Sequence, residues 1–280
     1  MVGKIFDLPR YEEDARMVVV GVCYDSSPSF LRGCADAPDA IRRASLSVET
    51  FSIAQGKDLQ SLSLQDLGNW FYDEDPEEMS RKLFQDSLRL FQQGRLPIFL
   101  GGAHTITLPI LQAARHHYGS FSLLVLDAHL DLRGEFEGSI LNHATWLRRF
   151  SENFTGKIYV AGVRSACPEE LEYARKRSIS CMFSTGDRPF LPARMGIPGD
   201  EVLYISIDLD VLDSSVFPAV SNPEPGGLSF SDVRSALFFF SGYHIIGMDF
   251  VELNPHLDYS RHCAVTTAVL LRESLLYLGR

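Results

Sequence analysis

Residues 123–134 read LLVLDAHLDLRG, an apolar run followed by Asp127, His129 and Asp131 at alternate positions. The stretch from Phe121 to Leu126 has no polar face, the pattern of a central parallel strand, so Asp127 falls where that strand emerges. Ligands bind at the open end of a parallel sheet. A fully extended chain would hold Asp127 and Asp131 roughly 13 Å apart at about 3.3 Å per residue, too far to share one small ion. The chain is therefore expected to curl after the first carboxylate. Carboxylate oxygens and an imidazole gathered that tightly suit Mn, Zn, Fe or Ni. A lone Asp-x-His is more often a helix cap and a surface turn, so other clusters have to decide.

Two further apolar runs break in the same way. YISIDLDVLD, at 204–213, ends in Asp208 and Asp210, which a strand projects to one side. Like charges so close are costly unless a cation lies between them. In PIFLGGAHT, at 97–105, a strand gives way to Gly101 and Gly102 before His104. The glycines permit close backbone approach or a positive φ, which sets the imidazole over the sheet end. A Gly-Gly-x-His turn says little by itself. Three such signals, each at the C-terminal end of a strand, point to one metal centre.

Strand-like runs recur near 17–22, 97–100, 121–127, 158–163, 179–183, 202–208 and 244–251, with helix-like segments between most of them. That alternation predicts a parallel α/β sheet. The clearest helix spans about Pro76 to Gln93, with Asp75 as cap, Pro76 in the first turn, Glu77 and Glu78 against the dipole, and Gly94 as stop. RPFLPARMGIPGDE (188–201) and FPAVSNPEPGGLS (217–229) read as long loops rather than linkers. A chain of 280 residues of this class is expected to form one domain over 1–280.

Composition narrows the function. Lys and Arg number 26 against 36 acidic residues, a net charge of −10 that opposes general nucleic-acid binding and favours a cationic small molecule. Five cysteines without a C-x-x-C pair suggest neither a disulfide framework nor a zinc knuckle, and fit a reducing compartment. The N-terminal residues lack a signal-peptide pattern, and no apolar run approaches the ~20 residues of a membrane span. A cytoplasmic protein without a membrane partner is expected.

GGAHT (101–105), DAHLDLRGEFEGSILNHATWLRR (127–149), SIDLDVLD (206–213), NPEPGGLS (222–229) and VELNPHLD (251–258) together resemble the ureohydrolase family of arginases and agmatinases, closest to the archaeal-type agmatinases. YDSSPSFLRGCADAPDAIRRAS (24–45) and AGVRSACPEELEYARKRSI (161–179) extend the likeness over nearly the whole chain. The resemblance implies a three-layer αβα domain around a parallel sheet of about eight strands. It also implies two Mn ions per chain, with Asp127 and Asp208 bridging, His104 and Asp131 completing one shell, and His129 and Asp210 the other. Four carboxylates balance two divalent ions and leave room for a bridging hydroxide, which such a pair makes available near neutral pH.

By the same resemblance His143 matches the family's proton-shuttling histidine and Glu252 the carboxylate that receives the guanidinium, with Asp131 grouped beside them at the catalytic centre. Read without that context, His143 is a surface residue at a helix start and Glu252 a polar residue after a buried strand. The implied reaction splits a small cationic guanidino compound, foremost agmatine, into urea and an amine. Other substrates of the class are an aminopropyl agmatine, guanidinobutyrate or arginine, with loops 132–142 and 184–200 setting the choice. The family also implies a homo-oligomer, a trimer or hexamer.

The chain departs from the family pattern in places. Ala103 stands where an acidic residue is usual, which removes an outer carboxylate from the metal site. Ser214 follows Asp213 where proline is common, and Ala144 replaces a glycine. Leu132 and Arg133 follow Asp131 where arginases place an asparagine that reads the amino-acid end of arginine, which favours a substrate lacking an α-carboxylate. Two other readings remain at this stage. A deacetylase-like hydrolase would hold one zinc on Asp127, His129 and Asp208, against which His104 and Asp131 argue. A non-catalytic metal-binding relative is suggested by Ala103 alone.

Overall fold

The computed structural model describes residues 4–8, 12–25, 31–73, 75–184 and 190–279; residues 26–30 of the first family segment and 185–189 of the second specificity loop lie outside the described residues. Among the described residues ten strands form: β1 (Met17–Cys23), β2 (Phe51–Ser52), β3 (Lys57–Asp58), β4 (Leu64–Phe71), β5 (Leu96–Leu100), β6 (Ser122–Leu126), β7 (Ile158–Val163), β8 (Ser180–Phe183), β9 (Val202–Asp208) and β10 (His244–Val251). β2 and β3 pair only with each other. The other eight make one sheet in the order β4-β1-β5-β10-β9-β6-β7-β8, with every neighbouring pair parallel.

Seven α-helices among the described residues accompany the sheet: α1 (Ala37–Ser45), α2 (Pro76–Gln92), α3 (Thr107–Tyr118), α4 (Trp146–Glu152), α5 (Pro168–Lys176), α6 (Phe230–Phe240) and α7 (His262–Leu278). Because side chains alternate along a strand, each central strand feeds two cores. Val18, Val20, Phe99, Leu123 and Val125 pack in one core with residues of α2, α3, α4 and α5. Val19, Ile98, Leu100, Leu124 and Leu126 pack in the other with residues of α1, α6 and α7. The expected three-layer αβα architecture is thus the observed one. None of the described helices is long and apolar enough to cross a membrane.

Seven of the eight sheet strands lie where the apolar runs placed them. The eighth, β4, does not read as a central strand because it is the sheet's edge: LQDLGNWF is mostly half-exposed. Gly68 sits there at φ +76, beside a register shift against β1. Its one deeply buried carboxylate, Asp66, is matched by Arg42 of α1, whose Nη2 lies 2.8 Å from Oδ1. α2 starts as expected, with the Asp75 carboxylate accepting from the amides of Glu77 and Glu78.

The topology also decides where chemistry gathers. β5, β10, β9 and β6 are consecutive in the sheet, and their C-terminal ends lead into His104, Glu252, Asp208 and Asp127 respectively. From β1 the chain moves outward to β4 on one side, and from β6 outward to β7 and β8 on the other, a reversal of the kind that opens a crevice at the carboxyl ends of the strands.

Candidate metal centre

Gly101 and Gly102 bring His104 to the sheet end by close approach rather than by a positive φ. A Cβ on Gly102 would meet the Tyr24 carbonyl oxygen at 2.0 Å, and one on Gly101 would meet Ile106 and Val251 side chains at 2.5 and 2.7 Å. The His104 ring is fully buried, tilted against Trp146 with centroids 4.5 Å apart. Its Nε2 lies 3.0 Å from Ser206 Oγ, and that hydroxyl donates to Asp249 Oδ1 at 2.6 Å. With its proton committed to Asp249, Ser206 accepts from Nε2–H, so Nε2 keeps its proton and Nδ1 is the nitrogen that can offer a lone pair to a metal.

That lone pair faces three carboxylate oxygens: Asp208 Oδ2 at 3.0 Å, and Asp127 Oδ2 and Asp131 Oδ2 at 3.3 Å each. Nδ1 is buried and makes no hydrogen bond among the described residues. A lone pair and three anionic oxygens in a dry site repel one another unless a cation sits among them. The donor set therefore fits a metal ion.

A second group lies beside the first. His129 Nδ1 is 2.8 Å from Asp210 Oδ2 and 3.7 Å from Asp127 Oδ1. The ligand atoms of His104, Asp127 and Asp208 lie within 4.8 Å of one another, as do those of Asp127, His129 and Asp210, so Asp127 belongs to both groups. Asp131 joins the first at the distance given above. The structure gathers Asp208 with the first group alone, its Oδ1 accepting from the Asp210 amide at 2.8 Å.

The backbone aims these side chains. Asp127 Oδ1 accepts from the His129 amide at 2.6 Å, and Asp210 Oδ1 from the Ala128 amide at 3.1 Å, which laces the turn after β6 to the turn after β9. Asp131 Oδ2 accepts from Trp146 Nε1 at 2.7 Å. The expected curl is found at Asp131 itself, φ +52, and Glu252 is likewise left-handed at φ +69. Non-glycine residues adopt this region at a cost, and such strain collects at functional sites.

Electrostatics show the cluster's demand for positive charge. Burial, with the charges of Asp127 and Asp210, raises the Asp208 carboxyl well above its usual range; burial and Asp127 push Asp131 up to about 7. Burial works against protonated imidazoles, yet the surrounding carboxylates raise His104 well above its usual value and His129 to about 12. Divalent cations would answer that demand in place of protons.

A cavity of about 370 Å³ opens in front of the cluster, lined among others by His129, Asp131, Asp208, Asp210, His143 and Glu252. Glu252 is buried, and burial pushes its carboxyl up to about 7. Its Oε1 accepts from the His104 amide at 2.6 Å, and the Cys34 thiol lies 3.6 Å from Oε2. His143 packs edge-on against Phe136 with centroids 5.6 Å apart. Burial, then repulsion from His129 and His104, lowers its imidazole to about 4. All eight residues singled out in the sequence thus meet at one end of the sheet.

A model of the arginase family matches residues 15–277. The chain belongs to the arginase family. It is 36% identical to the N(1)-aminopropylagmatine ureohydrolase of Thermus thermophilus over 94% of this chain and 90% of that one. It is 30% identical to the agmatinase of Halalkalibacterium halodurans over 98% and 96% of the two chains. The crystal structure of agmatine ureohydrolase of Thermoplasma volcanium superposes with a TM-score of 0.90 at 32% identity, covering 98% of this chain and 94% of that one. Like those relatives, this member of the arginase family is a hydrolase.

Several residues around the centre escape a reading along the chain. Ser206 and Asp249 back His104, and Trp146 holds Asp131. Asp249 had a signal, a carboxylate in the middle of the apolar run HIIGMDFV. It is fully buried, and also accepts from Tyr204 Oη at 2.9 Å and Thr107 Oγ1 at 3.2 Å.

Proposed function

We propose that this arginase-family protein hydrolyses a guanidino compound to urea and an amine, with agmatine as substrate, putrescine as the other product, and two Mn ions as cofactor. The observation that carries the reading is the unbonded His104 Nδ1, faced by three carboxylate oxygens at 3.0–3.3 Å and joined through Asp127 to a second ligand group. His104, Asp127, Asp131 and Asp208 would hold one ion and Asp127, His129 and Asp210 the other, with Asp208 also bridging as the family resemblance implies. When bound, such a pair supplies a water-derived nucleophile near neutral pH and positive charge for the developing transition state.

The remaining work falls to the chain's own groups. Glu252 receives the guanidinium, whose planar N–H edge matches a carboxylate, and orients its carbon towards the ligand cluster. The Glu252 carboxylate is itself fixed by the His104 amide, so the substrate anchor and the first ligand group share one support. His143, held neutral by its burial, takes up a proton released in the attack and delivers it to the departing amine nitrogen, which leaves poorly without one.

An N-substituted agmatine bearing an aminopropyl group is the second reading, favoured by the 36% identity to the Thermus thermophilus enzyme against 30% to the agmatinase above. A cytoplasmic location, service in polyamine synthesis, a homo-oligomeric state and a single domain over 1–280 belong to the same proposal. All five cysteines are free, which fits a reducing compartment.

The test is urea release by Mn-loaded protein from agmatine, aminopropyl agmatine, guanidinobutyrate and arginine. Agmatine or its N-substituted form is expected to exceed arginine at least ~10-fold in kcat/KM, about what one poorly matched charge costs in transition-state binding. Arginine as the best substrate overturns the agmatinase assignment alone. Two bound ions with no urea from any compound would mark a non-catalytic binder.

A further inference from the structure

Beyond the ligand cluster, His143 and Glu252, the charged side chains among the described residues that line the cavity are Arg133, Glu170 and Glu224. Two of them answer each other. Glu170 is buried, its oxygens accept from the amides of Leu132 at 3.0 Å and Cys167 at 2.9 Å, and Arg133 Nε lies 4.0 Å from Oε2. Arg133 is also laid over the Phe136 ring, 5.0 Å from its centroid. That wall is close to electrically neutral.

Glu224 differs. Among the described residues its one ion-pair contact is His129 Nε2 at 3.9 Å, beyond hydrogen-bond reach. An imidazole that gives Nδ1 to a metal is uncharged, so among the described residues the carboxylate has no cationic partner. The Glu224 backbone is fixed: Arg164 Nη2 donates to its carbonyl at 2.9 Å and to the carbonyl of Asp210 at 2.7 Å. Asp213 Oδ2 accepts from the amides of Gly226 and Gly227 at 2.6 and 2.8 Å. A rigid loop therefore presents one unmatched carboxylate at the cavity wall, on the side of His129 away from the cluster.

A four-methylene chain places its terminal nitrogen roughly 6 Å from the guanidinium nitrogen that carries it. Glu252, His129 and Glu224 line one cavity, so a chain anchored by its guanidinium on Glu252 extends within the space that Glu224 faces. We propose that Glu224 receives the cationic nitrogen four methylenes from the guanidinium, and so selects guanidinobutyl ammonium compounds over those ending in carboxylate or methyl. A free amine and an aminopropyl-substituted amine both carry a cation at that position, so Glu224 accepts either. The inference rests on the proposed function for the guanidinium end and adds the receptor for the other end.

The test is titration calorimetry on the Mn-loaded protein, in a His143→Ala background whose slowed turnover spares the ligand, with agmatine and with 1-pentylguanidine, in which a methyl replaces the ammonium. With Glu224 intact the chain should prefer agmatine. Glu224→Gln should lower the agmatine-to-pentylguanidine affinity ratio about tenfold, ~1.4 kcal/mol, and Glu224→Asp should retain part of it. Mn affinity, titrated on the same samples, should shift less than twofold. No preference with Glu224 intact, an equal loss for both ligands, or a fall in Mn affinity large enough to account for the loss would each overturn the assignment, the last by making Glu224 the outer partner of His129. Failure to release urea would sink the hydrolytic reading instead, while the affinity ratio still decides Glu224.

Discussion

The two ligand groups share Asp127 and differ in almost everything else. His104 has no exposed surface, leans on Trp146, and is backed by the Ser206 hydroxyl and the buried Asp249 carboxylate. The His129 side chain is 25% exposed on the cavity wall, and its outer neighbour is Glu224 at 3.9 Å. Through Ser206 the Asp249 carboxylate fixes the His104 tautomer and raises its basicity, whereas Glu224, beyond hydrogen-bond reach, does neither for His129. The first position is therefore part of the protein's interior, and the second is part of its binding surface. One ion should be held tightly and exchange slowly, the other weakly and close to substrate.

The largest expected effect breaks both halves together. Asp127→Asn should remove both ions and all measurable urea release, whereas Asp208→Asn should remove at least one ion and nearly all activity. Metal analysis checks this pair, and two tightly held ions in the Asp208 variant would deny that residue any part in either group. His143→Ala leaves the ligands alone, so both ions should stay while turnover slows by roughly 10²–10⁴-fold. A rate equal to the wild type's would remove His143 from the mechanism.

Smaller changes sharpen the contrast. Asp249→Asn, with Ser206→Ala as a gentler companion, should weaken one ion of the two by ~10–100-fold, the usual scale for such partners. Calorimetry should show two unequal sites whose tighter member moves; equal weakening of both would erase the distinction. Ala103→Asp is the mildest. Ala103 is buried and precedes a short helical turn without a side-chain cap, so an added carboxylate has amides to accept from. The Mn concentration for half activity should fall a few-fold. An unmoved titration would indicate that Asp249 already serves as the outer carboxylate.

What the sequence disclosed follows from how local each signal is. Buried strands that stop on a charge are visible in one dimension, which is why His104, Asp127 and Asp208 stood out and why seven strands fall near their expected positions. The need for a curl beyond Asp127 followed from strand geometry, and the left-handed Asp131 supplies it. Asp249 was hidden because its meaning depends on Ser206, Tyr204 and Thr107, which belong to other elements. β4 was hidden because an edge strand needs no continuous apolar face. The division between a closed and an open ligand group depends on which loops cover the sheet end, and nothing in residue order encodes that directly.

The position of β10 bears on how the molecule is made. Formed after the other described strands of the sheet, it lies between β5 and β9, with Met248, Asp249 and Phe250 pairing to both neighbours. Without residues 244–251, β4-β1-β5 and β9-β6-β7-β8 have no strand to join them, and β5 and β9 would each be left with an unpaired apolar edge. Unpaired edges of that kind invite pairing with other chains. The last strand closes the seam, and in the same movement brings Glu252 onto the His104 amide across 148 residues of sequence. A nascent or C-terminally clipped chain should therefore be both sticky and unable to assemble the complete centre, so that competence for chemistry arrives together with protection from aggregation.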